Sequence, residues 1–105
     1  NHHLLGEQQL KRMRPNAHLI NTARGTLIDT KALVKALKNN WFAGAGLDVF
    51  EHEPTIDPAL LTLDNVTLLP HLGSATEETR RAMGLRVIDN IKAFFSGQTP
   101  RDLIC

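Results

Sequence analysis

Residues 42–49 read Phe-Ala-Gly-Ala-Gly-Leu-Asp-Val. The run is small and apolar without clean alternation, the pattern of a strand covered on both faces by closely packed helices. Such a strand belongs in the middle of a parallel sheet, and the rest of the chain supplies matching parts. Residues 17–21 are expected as a short buried strand and residues 65–69 as a third, stopped by Pro70. Between the first two, Asp29 or Thr30 caps a helix whose apolar stripe is Ala32, Leu33, Ala36 and Leu37. Asn39 and Asn40 stand where a left-handed residue ends that helix. An earlier helix over about 6–13 puts Leu10 and Met13 on one face and stops at Pro15 and Asn16. A last helix over about 75–96 lines up Met83, Val87, Ile91 and Phe94 for core packing, with Gly97 closing it. Trp41 is expected to pack against the second helix. Alternating strand and helix periods make the chain α/β.

A chain of 105 residues has room for one compact domain. Three strands are few for a parallel sheet, which needs cover on both faces and further neighbours. The expected fold is therefore the C-terminal portion of a doubly wound parallel sheet plus a terminal helix, with residues 1–105 forming part of a domain and further strands upstream of Asn1. Twelve Lys and Arg against eleven Asp and Glu give a net charge of +1, and no basic cluster exceeds Lys11-Arg12 or Arg80-Arg81. That balance argues against nucleic acid or an anionic membrane as partner. Apolar stretches are only a few residues long and no leader pattern stands at the start, so a cytoplasmic location is expected. Cys105 is the single cysteine, and His2, His3, His18 and His52 lack the helical spacing and carboxylate company of a zinc site. No metal is assigned.

In open parallel sheets the ligand lies beyond the carboxyl ends of the strands. Past the first expected strand comes Asn21-Thr22-Ala23-Arg24-Gly25-Thr26; past the second, Asp48 and then Glu51-His52-Glu53-Pro54; past the third, Pro70-His71-Leu72-Gly73-Ser74-Ala75-Thr76. An arginine, carboxylates and a histidine are thus expected at one sheet end, where sequence-distant groups can converge, and they are the set that acid-base chemistry on an anionic substrate needs. Taken singly, each has a plainer reading: Arg24 as a surface ion-pair or capping residue, Glu53 as one of several loop acids, His71 as a structural residue at a helix entrance.

The ordered set changes that balance. Asn21-Thr22-Ala23-Arg24-Gly25, then Ala45-Gly46-Leu47-Asp48-Val49-Phe50 running into Glu53-Pro54, then Leu69-Pro70-His71-Leu72-Gly73-Ser74-Ala75-Thr76, resembles the D-isomer-specific 2-hydroxyacid dehydrogenases over nearly the whole chain. The resemblance implies a Rossmann-type NAD(P)-binding domain, whose terminal helix returns to a substrate domain. It implies Arg24 as the substrate-binding arginine, His71 as the acid-base catalyst and Glu53 as the carboxylate paired with it. A guanidinium fork suits a 2-oxoacid carboxylate, and a carboxylate beside an imidazole favours its protonated form and fixes the ring. It further implies Asp48 near the nicotinamide carboxamide, with Thr22, Ala23, Arg24, His71, Gly73 and Ser74 along that end of the cofactor. The run Leu72-Gly73-Ser74-Ala75-Thr76 is most similar to glyoxylate and hydroxypyruvate reductases, including 2-ketogluconate reductases. The cofactor is then NAD or NADP, the substrate a small 2-oxoacid, and the full-length protein a homodimer. The Gly-rich fingerprint and its ribose-reading residue are expected upstream of Asn1. An alternative is a non-catalytic NAD(H)-sensing corepressor of the same fold, which shares the three site residues but carries an aromatic-containing segment after the motif histidine.

Overall fold

The computed structural model describes residues 1–104; Cys105, the single cysteine, lies outside the described residues. It divides into two compact units, Asn1–Gly73 and the residues from Ser74 onward. The first holds α1 (Glu7–Leu10), β1 (His18–Asn21), a 3-10 turn (Gly25–Leu27), α2 (Thr30–Lys38), β2 (Gly44–Leu47), a second 3-10 turn (Pro58–Thr62) and β3 (Val66–Leu68). The strands are parallel in the order β1-β2-β3, so residues 44–47 form the central strand.

Helix α2 forms where capping and periodicity agree. Asp29 accepts the Ala32 N–H at 3.2 Å, satisfying one of the donors a helix start leaves unpaired. At the other end Lys35 and Lys38 complement the helix dipole, the Asn39 amide donates to the Lys35 carbonyl at 2.8 Å, and Asn40 takes the left-handed φ of 51°. The helix buries Ala32, Leu33, Val34, Ala36 and Leu37. These pack with Leu10, Ile28, Phe42, Ala45, Leu47 and Leu60. Trp41, half-buried against this core, lies under the Lys11 and Lys35 ammonium groups at 5.1 and 5.8 Å from its ring centre. Phe42 is only 1% exposed. Phe42→Ala is expected to cost about 3–5 kcal/mol, read from the shift in a chemical denaturation midpoint at unchanged slope.

Three expectations for the first unit are corrected. Register places Leu19, Ala45 and Val66 on one face of the sheet, continued by Asn21, Leu47 and Leu68, and this face meets the core. Ile20, Gly46 and Thr67 share the opposite face, where Ile20 is 66% exposed. Within this unit β2 is therefore covered on one face only, and β1 is not a buried strand, because α1 and α2 contribute to the same core. The first helix is a single turn rather than residues 6–13: Arg12 N–H bonds to Gln9 and Met13 N–H to Leu10, so the chain tightens into i→i+3 turns before Pro15 is reached.

The second unit consists of α3 (Glu77–Phe95) and the tail that folds back on it. Thr76 caps the helix by accepting the Thr79 N–H at 3.1 Å, with Glu77 and Glu78 in the first turn. Gly97, at φ 76°, closes it, with Gln98 N–H bonding to Ala93 and Gly97 N–H to Phe94 in a Schellman arrangement. Asp102 receives a two-pronged bond from Arg86 and a third from Asn90, and the Arg86 bond, more than that from Asn90, holds its carboxyl well below the usual range. Met83, Val87, Ile91 and Phe94 were expected in a core, yet all four are more than half exposed. A single helix and its tail offer no second layer against which a stripe can be buried.

Candidate active site

Parallel strands deliver their carboxyl ends to one edge of the sheet, and three loops leave that edge. The first is shaped by Asn21, whose buried side chain accepts the Ala23 N–H at 3.1 Å and donates to the Arg24 carbonyl at 2.9 Å. This local clamp turns the chain just after β1 and sets the entry of the 3-10 turn at Arg24. The Arg24 guanidinium is exposed and donates to the Ala23 carbonyl at 2.7 Å; Thr22 and Ala23 are exposed beside it. Gly25 lies bare against the Phe50–Glu51 peptide, so close that a Cβ there would overlap Phe50 C and O and Glu51 N. The first two loops therefore meet backbone against backbone at Gly25.

The second loop begins at Asp48, whose N–H donates to the Asn21 carbonyl at 3.0 Å. Its carboxylate is buried and accepts the Leu72 N–H at 2.6 Å and the Gly73 N–H at 2.7 Å. The Leu72 bond, supported by Gly73 and the nearby His71, holds the Asp48 carboxyl below its ordinary value although burial works in the opposite direction. Further on, Glu53 accepts the Phe50 N–H through Oε1 at 3.0 Å, and its peptide bond to Pro54 is cis.

The third loop brings His71 to Glu53, with Nδ1 lying 2.7 Å from Oε2. An ionised carboxylate can only accept, so Nδ1 carries the proton and Nε2 is left without a partner among the described residues. His71 sits at φ 59°, a left-handed conformation that strains a residue with a Cβ, and the two amides that follow it are those anchored on Asp48. Asp48 thus offsets the strain that presents the imidazole. Glu53 and His71 open onto a cleft of about 390 Å³ walled by Phe50, Pro54, Ile56 and Pro70.

The His71 bond, then the Phe50 amide, with Arg24 contributing charge, depress the Glu53 carboxyl below its ordinary 4.5. A depressed carboxyl contributes stability that is fully present above the unfolded value and is lost as pH falls through the folded one. Carbon NMR titration of Glu53 should give a midpoint below 4.5 that moves back up in His71→Gln. A midpoint indifferent to His71 would contradict the pairing in solution.

Of the residues singled out in the sequence, the fold joins Glu53 to His71 and Asp48 to Gly73. It leaves Arg24 on the neighbouring loop, outside the lining of the cleft but close enough for its charge to act on Glu53. Ser74, at φ 61°, opens the second unit. Asn21 and Gly25 carry structural duties that their motif alone did not reveal; an Asn at the end of a strand, two residues before a loop amide it can bond, was the available signal. Among the described residues no group of three or more His, Cys, Asp or Glu side chains could hold a metal ion, and no helix is long and apolar enough to cross a membrane.

Residues 1–73 match the family described as D-isomer specific 2-hydroxyacid dehydrogenase, NAD binding domain. The chain is 54% identical over 103 residues to a glyoxylate reductase of Thermococcus litoralis, covering 98% of this chain and 31% of that protein. It is 48% identical over 104 residues to a glyoxylate/hydroxypyruvate reductase B of Enterobacter agglomerans, covering 98% of this chain and 32% of that one. Among solved structures, the NADPH-dependent glyoxylate/hydroxypyruvate reductase of Sinorhizobium meliloti with NADP and malonate superposes with a TM-score of 0.86 at 50% identity, over 90% of this chain and 30% of its own. The chain belongs to the D-isomer-specific 2-hydroxyacid dehydrogenase family, and its α/β fold is of the Rossmann type. It spans about a third of the length of the relatives it matches.

Proposed function

We propose that this chain is the catalytic part of a longer NAD(P)-dependent reductase of small 2-oxoacids such as glyoxylate or hydroxypyruvate. The observation that carries the reading is the Glu53–His71 pair at 2.7 Å, beside Arg24, at the carboxyl edge of a parallel sheet in a domain of this family. Arg24 takes the substrate carboxylate in its planar donor fork and draws density from the adjacent carbonyl. His71, its Nδ1 committed to Glu53, gives a proton from Nε2 to the carbonyl oxygen as charge develops there, and recovers it in the reverse direction. Glu53 fixes the ring and balances the imidazolium.

The cofactor is NAD or NADP. The donor set fits its nicotinamide end: each Asp48 oxygen accepts one backbone N–H and retains a lone pair for a carboxamide NH2, and Gly73, one of the two donors, adds no side chain there. When bound, the nicotinamide supplies the hydride. In this reading α3 returns to a substrate domain, and the full-length protein is a cytoplasmic homodimer.

Arg24→Gln in the full-length enzyme tests the substrate clamp. Loss of a charge-assisted pair costs about 2–5 kcal/mol, so kcat/KM for glyoxylate should fall about 30-fold or more, mainly through KM. Wild-type protein that is folded, binds NAD(P)H and turns over neither glyoxylate nor hydroxypyruvate would refute the proposed activity.

A further inference from the structure

A second network meets the acid loop through Glu51. Its side chain is only 14% exposed, and Oε1 accepts the Thr30 N–H at 2.9 Å and lies 3.0 Å from Nε2 of His3. Thr30 is the first residue of α2, so Glu51 satisfies a helix-start donor that the Asp29 cap leaves open. His3 stands between both carboxylates, its Nδ1 at 4.0 Å from Asp29, while His52 lies 3.9 Å from the other Glu51 oxygen. The segment carrying His3 is held in place by backbone bonds from His3 to Thr26, from Leu5 to Leu27 and from Asp29 to Leu5. Burial works to raise the Glu51 carboxyl, but the Thr30 and His3 bonds outweigh it and keep it low.

The position of Glu51 gives this network a purpose beyond capping. Its peptide with Phe50 is the surface against which Gly25 is pressed, so it sets the loop that carries Arg24. The Phe50 N–H at the same place donates to Oε1 of Glu53, whose Oε2 meets His71. One stretch of backbone therefore touches the supports of all three site residues, and Glu51 is the side chain that ties it to α2 and to the N-terminal segment. A displacement of about 1 Å at a positioning group can cost on the order of a hundredfold in rate.

We infer that Glu51, tied down by Thr30 and His3, is a positioning residue for the proton-transfer pair: it locks the Phe50–Glu51 backbone so that Glu53 stays on His71 and the Arg24 loop keeps its register. The inference rests on the roles proposed above for Glu53 and His71. It is tested in the full-length enzyme by kinetics together with proton NMR of the imidazole Nδ1–H of His71, assigned with His71→Gln. Glu51→Ala should lower kcat about tenfold, leave KM for NAD(P)H within about twofold, and broaden or abolish the downfield His71 resonance. Glu51→Gln, which keeps an acceptor oxygen for Thr30, should recover kcat to within about threefold of wild type. His3→Ala, which leaves the Thr30 bond intact, should give a smaller loss in the same direction, and it carries the test should Glu51→Ala fail to fold. An unchanged resonance in folded Glu51→Ala, or unchanged kcat and resonance in His3→Ala when Glu51→Ala cannot be obtained, overturns the inference and leaves Glu51 a helix cap. Wild-type protein without 2-oxoacid turnover would instead sink the proposed function, while the resonance would still report on Glu51.

Discussion

Replacing His71 with alanine in the full-length enzyme is expected to lower kcat/KM for glyoxylate reduction by about 10²–10⁴-fold, the usual contribution of a positioned acid-base group. The size follows from the arrangement of the ring. With Nδ1 engaged by Glu53 at 2.7 Å, Nε2 is the one imidazole nitrogen left for substrate, and neither Asp48 nor Glu53 can replace it as a proton donor, because both are held as carboxylates. The left-handed φ of 59° adds a complication, since alanine is less at ease there than histidine. His71→Asn resolves it, because asparagine tolerates that conformation and cannot perform the proton transfer. Both variants should lose activity alike while NAD(P)H affinity changes little. Near-normal turnover in either would remove His71 from the mechanism.

Gly25→Ala should be nearly as damaging although it adds one methyl group. The new carbon would overlap the Phe50–Glu51 peptide, which is backbone and cannot rotate aside as a side chain can. Overpacking of this kind costs about 1–3 kcal/mol where neighbours can yield, so a loss of at least about 3 kcal/mol is expected here. What strain is not taken up by unfolding will part the Arg24 loop from the acid loop. The variant should therefore show a lowered denaturation midpoint and, in the fraction that folds, a raised KM for 2-oxoacid together with a lowered kcat. Wild-type stability in Gly25→Ala would show that the two loops do not meet as described.

The parts that could be read from the sequence are those governed by local rules. Residues 42–49 announced a central strand because small apolar residues without alternation suit few other places, and α2 declared both ends through Asp29 and Asn40. The three loops past the strands followed from the same periodicity, whereas the family resemblance, through Glu53-Pro54, was what singled out Glu53 from Glu51, which turns instead to Thr30 and His3. Burial was harder, because it depends on what lies across from a face rather than on the face itself. Ile20 is as apolar as Leu19, yet only Leu19 has the core opposite it. The stripe on α3 failed for the same reason. Long-range bonds left no local trace either: nothing near Asp48 in sequence foretells that its oxygens are committed 24 and 25 residues later, or that His3 reaches Glu51 across 48. Such pairings emerge only when the sheet has set the loops side by side.

A double-mutant cycle on Glu53 and His71, measured as kcat/KM for glyoxylate with NAD(P)H in the full-length enzyme, tests most directly whether the two act as one proton-transfer unit. Glu53→Gln, His71→Asn and the combined variant are compared with wild type. If the carboxylate works only through the imidazole, the combined variant is no slower than His71→Asn alone, as for residues that act as a unit. Losses that multiply independently would contradict that role and leave the contact between Glu53 and His71 a matter of structure only.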